Sequence, residues 1–470
     1  MTSNLTASLC ERIMGCGPET LTEEVRAHAR TLVLDGLAVA LAGTVQEAPP
    51  GLLAASVEEQ GATPVATVIG FGFGTSPMLA AYVNGASMHV LDYEPMWLPA
   101  NHALSTTLPA ALAIAEARGA DGEALTLALV KGIELQGCLR EASGQWDPGA
   151  LRFHPPGLVG PLSSAVATGS LLGLDATALA HALGIAASRC GSVLANAGTM
   201  TKSTHCGLAS SLGLEAAQLA ARGFDANAAI FDDPRGYPAA FFPEFSPEAL
   251  LAFGPPYRVI APGYAIKMYP SQFGTHFSIT AGLDIHRQLT ARGLDAGTVR
   301  HVVLTTPSMP YVDRPAPDTG LAGKFSWQYT FACALLDGAV TMRTFEDARR
   351  FSPDVVALLE RIETQADEGI SGRFDEMHVA ARVTLQGGEE FEARTQGPAG
   401  SWRGDALAPD AHALKVQECL DTVLSPNDSE ALIGLARRVD TLEAAEIKHL
   451  MALAGAKRSG TNERGGVSCD

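Results

Sequence analysis

The densest group of residues able to do chemistry lies between Asn84 and His102. This run places Asp92 and His102 ten residues apart, in sequence that becomes loop-like and Pro-rich. Catalytic residues often lie on loops beside a rigid scaffold, and an imidazole can gain and lose a proton near neutral pH. We therefore expect Asp92 to orient or polarise His102, and His102 to transfer a proton. On composition alone, a packing role for both residues stays open.

Two lysines add positive charge to this candidate chemistry. Lys202 and His205 share one face if their segment is helical, and they lie in the most apolar stretch of the chain, between residues 157 and 220. An unpaired charge is costly there, so Lys202 is expected to be paired or functional. Lys267 and Gln272 fall where helical patterning gives way to strands, and junctions between domains favour ligand clefts.

Three further side chains are candidates for holding a substrate. His154 precedes Pro155 and Pro156 at an expected helix start, where a His can also simply cap or pack. Tyr311 and Arg314 follow the first clear strand and offer a phenol and a guanidinium. For Arg314, a surface ion pair is an equally good interpretation.

Motifs for common cofactors are missing from the sequence. The glycines between Gly70 and Gly74 lack dinucleotide-binding spacing and no βαβ pattern frames them, so a turn before the helix at Ser76 is expected. The sequence has no Walker motif, no HExxH and no Cys cluster. We predict that the protein needs neither an organic cofactor nor a metal.

Composition and charge bound the class of protein. The chain has 470 residues, 47% hydrophobic and 18% charged, which favours two well-packed globular domains. Its net charge of −18 disfavours nucleic acid and anionic membranes as partners. The eight cysteines are scattered, and we find neither a signal peptide nor an apolar run of membrane-spanning length. We expect a cytoplasmic protein whose anionic ligands need local lysines or histidines.

The pattern of apolar residues predicts a mainly α fold with a smaller α+β part. Small residues at helical spacing dominate residues 1–264, and helical patterns return over 398–455. Between them, residues 265–397 alternate between strand and helix patterns and form an inserted α+β lid. Residues 456–470 are polar and are expected to be disordered. The helical domain is therefore discontinuous in sequence.

Individual elements follow from local signals. Helices are expected to begin at Thr22, where two acidic residues follow, at Ser76, which is the expected N-cap with Pro at the first helical position, and at Asp121. A strand is predicted over 299–304 and a hairpin over 379–393, around the pair Gly387-Gly388. Helices are predicted over 275–289 and 354–365.

Several short motifs, in this order and spacing, resemble the MmgE/PrpD family, which includes 2-methylcitrate dehydratase, cis-aconitate decarboxylase and iminodisuccinate epimerase. The resemblance runs over about residues 21–454. The motifs are Leu34-Asp35-Gly36-Leu37, Asn84-Gly85, Met88-His89-Val90-Leu91-Asp92-Tyr93, His154-Pro155-Pro156, Thr201-Lys202, Ala265-Ile266-Lys267-Met268-Tyr269-Pro270 and Trp327-Gln328-Tyr329.

The resemblance implies a discontinuous helical domain with an α+β lid, a homodimer, and a cofactor-independent active site between the domains. It also implies a reaction in which a proton moves at a carbon next to a carboxylate. Lys202 and Lys267 would stabilise the developing negative charge. The family's catalytic positions correspond to Asp92, His102, Lys202, Lys267 and Tyr311, with His154, His205, Gln272 and Arg314 as substrate-binding candidates.

Departures from the family pattern bear on the exact reaction. Decarboxylase-type members carry Asp-Thr where this chain has Pro95-Met96, and a His at the position of Gln272. They also carry Pro where Ala103 follows His102. Neither Met nor Gln can serve as a general acid or base. Dehydration of a citrate-like tricarboxylic acid is therefore ranked first, aconitate-type decarboxylation second and iminodisuccinate-type epimerisation third, with an inactive polyacid-binding homologue as the alternative outside catalysis.

Overall fold

The structure is a computed structural model that describes residues 4–457. The disordered tail predicted from residue 456 therefore lies, from residue 458 onward, outside the described residues. The first part of the chain is helical apart from three short strands, β1 (Ala66–Val68), β2 (Phe73–Thr75) and β3 (Met96–Trp97). Its helices are α1 (Leu5–Gly15), α2 (Glu23–Gln46), α3 (Ala48–Gln60), α4 (Pro77–His89), α5 (Ala103–Arg118), α6 (Gly122–Ala142), α7 (Pro155–Leu172), α8 (Ala176–Ala187), α9 (Thr201–Ala220), α10 (Tyr237–Phe241) and α11 (Pro247–Leu250).

The centre of the helical body consists of α4, α5, α6, α7 and α9, which pack directly on one another. Glycines allow the closest approaches between these helices. A Cβ at Gly207 of α9 would lie 2.1 Å from the Tyr82 carbonyl oxygen of α4, and one at Gly213 would lie 2.1 Å from the Pro161 carbonyl oxygen of α7. The all-apolar helices predicted between residues 157 and 220 are thus confirmed as interior helices.

The three predicted helix starts are confirmed, and Ser76 is an N-cap as predicted. The side chain of Thr22 accepts from the Val25 amide, Ser76 caps α4 with Pro at the first helical position, and Asp121 accepts from the Ala124 amide. Each cap satisfies an amide that would otherwise lack a partner at the start of the helix. The caps on α2 and α4 fix where these two helices, which pack on each other, begin.

A second body contains a four-stranded sheet and the helices that cover it. Its strands are β5 (Val299–Thr306), β6 (Ile362–Ala366), β7 (Val379–Leu385) and β8 (Glu390–Thr395), in the order β6-β5-β7-β8. Only the β5–β6 pair is parallel. The short strand β4 (Tyr264–Ala265) pairs with β3 of the helical body. The helices are α12 (Thr275–Ala291), α13 (Gly320–Gly323), α14 (Trp327–Asp337), α15 (Asp347–Arg350) and α16 (Pro353–Leu359).

The predicted hairpin and first strand are confirmed, but one predicted helix is wrong. The helix expected over residues 354–365 ends at Leu359, and Ile362–Ala366 forms the edge strand β6. Ile362 pairs with Val302 and Thr364 with Leu304 in the parallel ladder. β-branched residues suit a pleated strand, and pairing with β5 overrides the short helical pattern.

The chain returns to the helical body through α17 (Ala411–Leu420), α18 (Pro426–Ala436) and α19 (Ala444–Ala454). One hydrophobic core is built mainly from residues 5–259 and 416–454, and a second mainly from residues 265–393. The second core also takes in four side chains from the first part of the chain, Met96, Leu98, Ala100 and Ala197. This mainly α fold with an α+β part agrees with the expectation from sequence, while the exact domain bounds at 264 and 397 stay a prediction.

The sequence analysis found no apolar run of membrane-spanning length, and one helix qualifies this statement. Within residues 4–457, α2 is long and apolar enough to cross a membrane by length and composition. However, 72% of its apolar window is buried inside the helical body. Packing against α4 and α17 accounts for its apolar character.

Candidate active site

A cleft lies where the helical body meets the α+β part and encloses about 470 Å³ of empty space, including its mouth. Residues from both parts line it: Asp92, Met96, Ala100, Asn101, His102, Pro148, Leu151, His154, Pro155, Leu194, Ala197, Lys202, Gln272, Tyr311, Phe325 and Phe374. Ligand pockets commonly form at such junctions. Six of the nine site residues expected from sequence are among these lining residues.

The loop after α4 delivers the acidic groups. The helix ends at His89, and the chain turns at once, with the Asp92 amide donating to the His89 carbonyl oxygen at 2.8 Å. Asp92 has a φ of 52°, in the left-handed region that few residues other than Gly adopt. Aspartate tolerates this conformation better than most residues. The turn directs the Asp92 carboxylate towards two lysines from distant segments.

Asp92 joins both predicted lysines. Lys202 Nζ, from the first turn of α9, lies 2.8 Å from Asp92 Oδ2, and Lys267 Nζ donates to Asp92 Oδ1. Burial alone would raise the pKa of Asp92, but the two ammonium groups hold it well below its usual range. Burial lowers the pKa of Lys267, against the opposing effect of Asp92. The result is one anion shared by two cations.

A second carboxylate, Glu94, binds the imidazoles beside this group. His89 Nδ1 lies 2.5 Å from Glu94 Oε1, and His102 Nδ1 lies 2.9 Å from the same oxygen without a well-aligned hydrogen bond. His102 Nε2 is 4.0 Å from Asp92 Oδ1. Burial and the nearby Lys202 ammonium lower the pKa of His89 to about 3. His102 therefore lies between two carboxylates at the cleft wall.

A histidine pair forms the next part of the wall. His154 Nδ1 and His205 Nδ1 are 3.2 Å apart. Burial, with Lys202 next in effect, holds the pKa of His154 well below its usual range and lowers that of His205 to about 4. Both rings are therefore neutral at neutral pH, and one can donate the proton in their shared hydrogen bond.

The α+β part supplies Gln272, Tyr311 and Phe325. Gln272 Nε2 donates to the Tyr311 hydroxyl at 2.8 Å. Burial, together with the Asp92 charge, raises the pKa of Tyr311, so that its phenol keeps its proton. The ring of Phe325 covers the Lys202 ammonium at 5.2 Å, an attractive cation–π contact.

Three of the expected residues lie behind the cleft surface. Lys267 is fully buried beneath Asp92, and His205 lies behind His154. Arg314 does not line the cleft. Its guanidinium donates to the carbonyl oxygens of Tyr311 and Ala197, both at 2.9 Å, and so connects the α+β part to the helical body. These contacts suit Arg314 to holding Tyr311 in place better than to binding a ligand.

Sequence analysis assigned no role to His89, Glu94, Asn101 or Phe325. His89 and Glu94 stand in the same dense run as Asp92, so their closeness in sequence was an available signal. The contact between His89 Nε2 and Lys202 Nζ, at 2.8 Å, had no such signal, because the two residues are 113 positions apart in the chain. Asn101 also stands in this run, directly before His102, whereas Phe325 carries no local signal.

The same residues contain two sets with metal-ligand geometry, His89–His102–His154 and Asp92–Glu94–His102. In both, several donors already have other partners, whereas Glu94 Oε2 and His102 Nδ1 have no hydrogen-bond partner within residues 4–457. His89 uses one nitrogen for Glu94 and the other for Lys202, and Asp92 uses both oxygens for ammonium groups. A divalent cation would have to displace Lys202 and Lys267, so the donor set suits ammonium groups better than a metal ion.

Comparison with known proteins identifies the family. The MmgE/PrpD N-terminal domain model matches residues 7–250, and the MmgE/PrpD C-terminal domain model matches residues 269–441. Cis-aconitate decarboxylase from Mus musculus is 32% identical over 95% of this chain and 93% of its own length, and that from Homo sapiens is 30% identical over 95% and 94%. The 2-methylcitrate dehydratase of Cupriavidus necator is 24% identical over 82% and 84%. This chain therefore belongs to the MmgE/PrpD family.

Proposed function

We propose that the protein is a cofactor-independent lyase acting on a small tricarboxylic acid in this cleft. The observation that carries the proposal is the pair of lysines sharing one buried carboxylate beside neutral imidazoles. Relatives that match nearly the whole chain are named for reactions of cis-aconitate and 2-methylcitrate, which supports the substrate class.

The charges at the site favour an anionic ligand. The two carboxylates, Asp92 and Glu94, balance the charges of Lys202 and Lys267, and burial lowers the pKa of His89 and His154, so that these two imidazoles add no charge. A ligand carboxylate at the cleft surface can share the Lys202 ammonium and draw protons onto the histidines. Such local attraction acts in a water-poor cleft, where electrostatic interactions are strong. It offsets the long-range repulsion from a chain of net charge −18.

The reaction we place first is decarboxylation of a cis-aconitate-like acid. The bond to the carboxylate on the saturated carbon breaks and CO₂ leaves. The electron pair of the broken bond forms a new double bond between the formerly saturated carbon and the central carbon. The original double bond becomes a single bond, and its outer carbon, which is next to another carboxylate, takes up a proton. His102 supplies that proton, with Glu94 2.9 Å from its Nδ1 orienting the ring and Asp92 polarising it from 4.0 Å. Lys202 at the cleft surface stabilises the negative charge that develops on the remaining carboxylate, and Lys267 adds to this from behind Asp92.

Two observations favour decarboxylation over dehydration, which the sequence motifs alone placed first. Relatives with 30% and 32% identity are named cis-aconitate decarboxylase. Apolar side chains also make up much of the cleft wall, including Met96, Leu151, Leu194 and Phe374. Poor solvation on that side favours a transition state in which carboxylate charge disperses as CO₂ forms.

Dehydration of a hydroxy-tricarboxylic acid is the second candidate, and Asn101 favours it. Its Nδ2 donates to Gln136 Oε1 at 2.8 Å, and the Gln136 amide nitrogen in turn donates to hydroxyls of Thr106 and Ser163. This network fixes Oδ1 as an acceptor, which has no hydrogen-bond partner among residues 4–457. A substrate hydroxyl could donate to it, whereas a fully ionised aconitate has no donor.

The assembly and location belong to the same proposal. Val193, Met200 and Leu208 are large apolar side chains exposed on α9 or just before it, with Met200 half exposed. Exposed apolar surface often marks a protein interface, so we propose a homodimer formed near this helix, with no nucleic acid or membrane as partner. The seven described cysteines are free thiols, which suits a cytosolic location.

Purified protein incubated with cis-aconitate, citrate, 2-methylcitrate and iminodisuccinate tests the proposal, with mass spectrometry of the products. Loss of CO₂ from cis-aconitate supports decarboxylation, and loss of water from citrate or 2-methylcitrate supports dehydration. In D₂O, incorporation of deuterium into iminodisuccinate with no loss of water or CO₂ would indicate an epimerase. No change in any of the four acids would contradict a lyase of this substrate class.

A further inference from the structure

A second buried charge cluster lies outside the cleft, between α2 and α17. Asp35 Oδ1 accepts from Lys415 Nζ at 2.7 Å and from His412 Nε2 at 3.0 Å. The side chains of Asp35 and Lys415 are 0% and 1% exposed. Burying such a pair brings little net stability compared with apolar residues of the same volume, so the cluster calls for another explanation.

Lys415 also reaches the loop that carries the catalytic candidates. Its Nζ donates to the Tyr93 carbonyl oxygen at 2.9 Å and lies 4.3 Å from the centre of the Tyr93 ring. Tyr93 stands between Asp92 and Glu94 in the chain. Lys415 therefore holds both the backbone and the side chain of the residue that separates the two cleft carboxylates.

Tyr93 extends this link to the second lysine of the site. Its hydroxyl donates to the carbonyl oxygen of Met268 at 3.2 Å, and Met268 directly follows Lys267. A continuous chain of polar contacts thus runs from Asp35 through Lys415 and Tyr93 to the backbone beside Lys267. The same chain spans the two segments whose side chains meet in the Asp92–Lys267 contact.

The loop needs such an anchor. Asp92 holds a φ of 52°, and a non-glycine residue keeps this strained conformation only where the surroundings impose it. A relaxed loop would take the Asp92 carboxylate away from the ammonium groups of Lys202 and Lys267. Displacements of about 1 Å at a reacting group can cost on the order of 10²-fold in rate.

We propose that Lys415, held by Asp35, is a positioning residue that fixes Tyr93 and thereby sets Asp92 and Glu94 against the lysines and histidines of the cleft. The effect on turnover rests on the proposed function, whereas the restraint on the loop does not.

The test compares two double variants that each replace an ion pair on α2 by apolar side chains; the Asp35–Lys415 pair is buried, and Arg30 of the control pair is 25% exposed. Asp35→Leu/Lys415→Met removes both charges, so that neither is left unpaired in the interior, and also removes the anchor on Tyr93. Arg30→Met/Asp440→Leu is the control. Arg30 Nε lies 2.6 Å from Asp440 Oδ1 and ties α2 to a segment near the C-terminus, with no bond to the cleft loop.

Hydrogen exchange of the amides in residues 90–102 is the first readout. We expect the Asp35→Leu/Lys415→Met variant to exchange at least about ten times faster there than the wild type, by local opening. The control variant should match the wild type in this segment. Equal exchange in the two variants would overturn the proposal, and this readout does not depend on any substrate.

Steady-state kinetics is the second readout. For whichever acid the wild type converts, kcat should fall at least about 10-fold in Asp35→Leu/Lys415→Met, with KM changed less than about 3-fold. The control should keep the wild-type kcat. If the wild type converts none of the four acids, the proposed function fails, while hydrogen exchange still decides the fate of the anchor. Faster exchange with an unchanged kcat would contradict a positioning role.

Discussion

Asp92 and Asp35 are both buried carboxylates bound to lysine, yet they differ in the number of lysines bound and in their position relative to the cleft. Asp35 has one lysine and one histidine and lies away from the cleft. Asp92 has two lysines and borders the cleft, beside the ring of His102. Two ammonium groups on one carboxylate repel each other, and burial disfavours their charged forms. An anionic ligand beside Lys202 would reduce this repulsion.

The largest expected difference between the two clusters comes from removing one lysine from each. Lys202→Met should lower kcat/KM by about 10³-fold, because a cation that stabilises developing charge is lost. Its effect on stability should be small, since Asp92 keeps Lys267 as partner. Lys415→Met should instead cost about 3–5 kcal/mol of unfolding free energy, because Asp35 loses its lysine in the interior. Kinetics and chemical denaturation of both variants measure this; equal losses of stability would remove the distinction.

Replacing the proposed proton donor should affect rate more than binding. His102→Gln keeps the size and some hydrogen bonding of the ring but cannot transfer a proton. We expect kcat to fall by about 10²–10⁴-fold, the usual scale for a lost general acid or base, with KM within about 3-fold. A variant with wild-type kcat would exclude His102 from the mechanism.

The cleft histidines should also make stability depend on pH. The folded protein holds the pKa of His205 at about 4, whereas an unfolded His titrates near 6.5. Between these values the unfolded chain binds more protons, so stability falls as the pH drops from about 6.5 towards 4. The fall in Tm between pH 7 and pH 5 should therefore be smaller in His205→Asn than in the wild type.

An exposed histidine provides the control for this pH effect. His449 lies on the exposed face of α19, and His449→Asn should keep the wild-type dependence of Tm on pH. If His205→Asn and His449→Asn show the same slope, the buried histidine pair does not control acid stability.

The smallest effect is expected from chelation. Ammonium groups occupy the positions around Asp92 and His89 that a metal ion would need. Prolonged treatment with a chelator should therefore leave turnover within about 2-fold of the untreated enzyme. If chelation abolished activity and one added metal restored it, a metal ion would have to displace the lysines from Asp92.

Much of the site could be predicted from sequence because its residues stand in short, chemically unusual runs. Asp92 and His102 were identifiable by their place in a loop-like run rich in reactive residues, Lys202 as a charge in an apolar stretch, and Lys267 by its place at the junction. The shared contact on Asp92 could not be derived, because it joins positions 110 and 175 residues apart in the chain. Arg314 illustrates the limit: its charge suggested ligand binding, while its bonds go to backbone carbonyl oxygens.

The same holds for the fold: elements that depend on neighbouring residues could be predicted, and elements that depend on distant contacts could not. The helix starts at Thr22, Ser76 and Asp121 and the hairpin over 379–393 depend on neighbouring residues and were predicted correctly. Strand β6 was missed because its conformation depends on pairing with β5, about sixty positions earlier in the chain. The polar link from Asp35 through Lys415 to Tyr93 likewise depends on contacts more than 300 positions apart.

The most direct test of the account is NMR of cis-aconitate turnover in D₂O, with wild-type protein and Lys202→Met side by side. The account predicts that the wild type releases CO₂ and places one solvent deuteron on the carbon next to a remaining carboxylate, while Lys202→Met does so about 10³-fold more slowly. Cis-aconitate left unchanged by the wild type would contradict decarboxylation, and equal rates in the two proteins would contradict the role given to the lysines on Asp92.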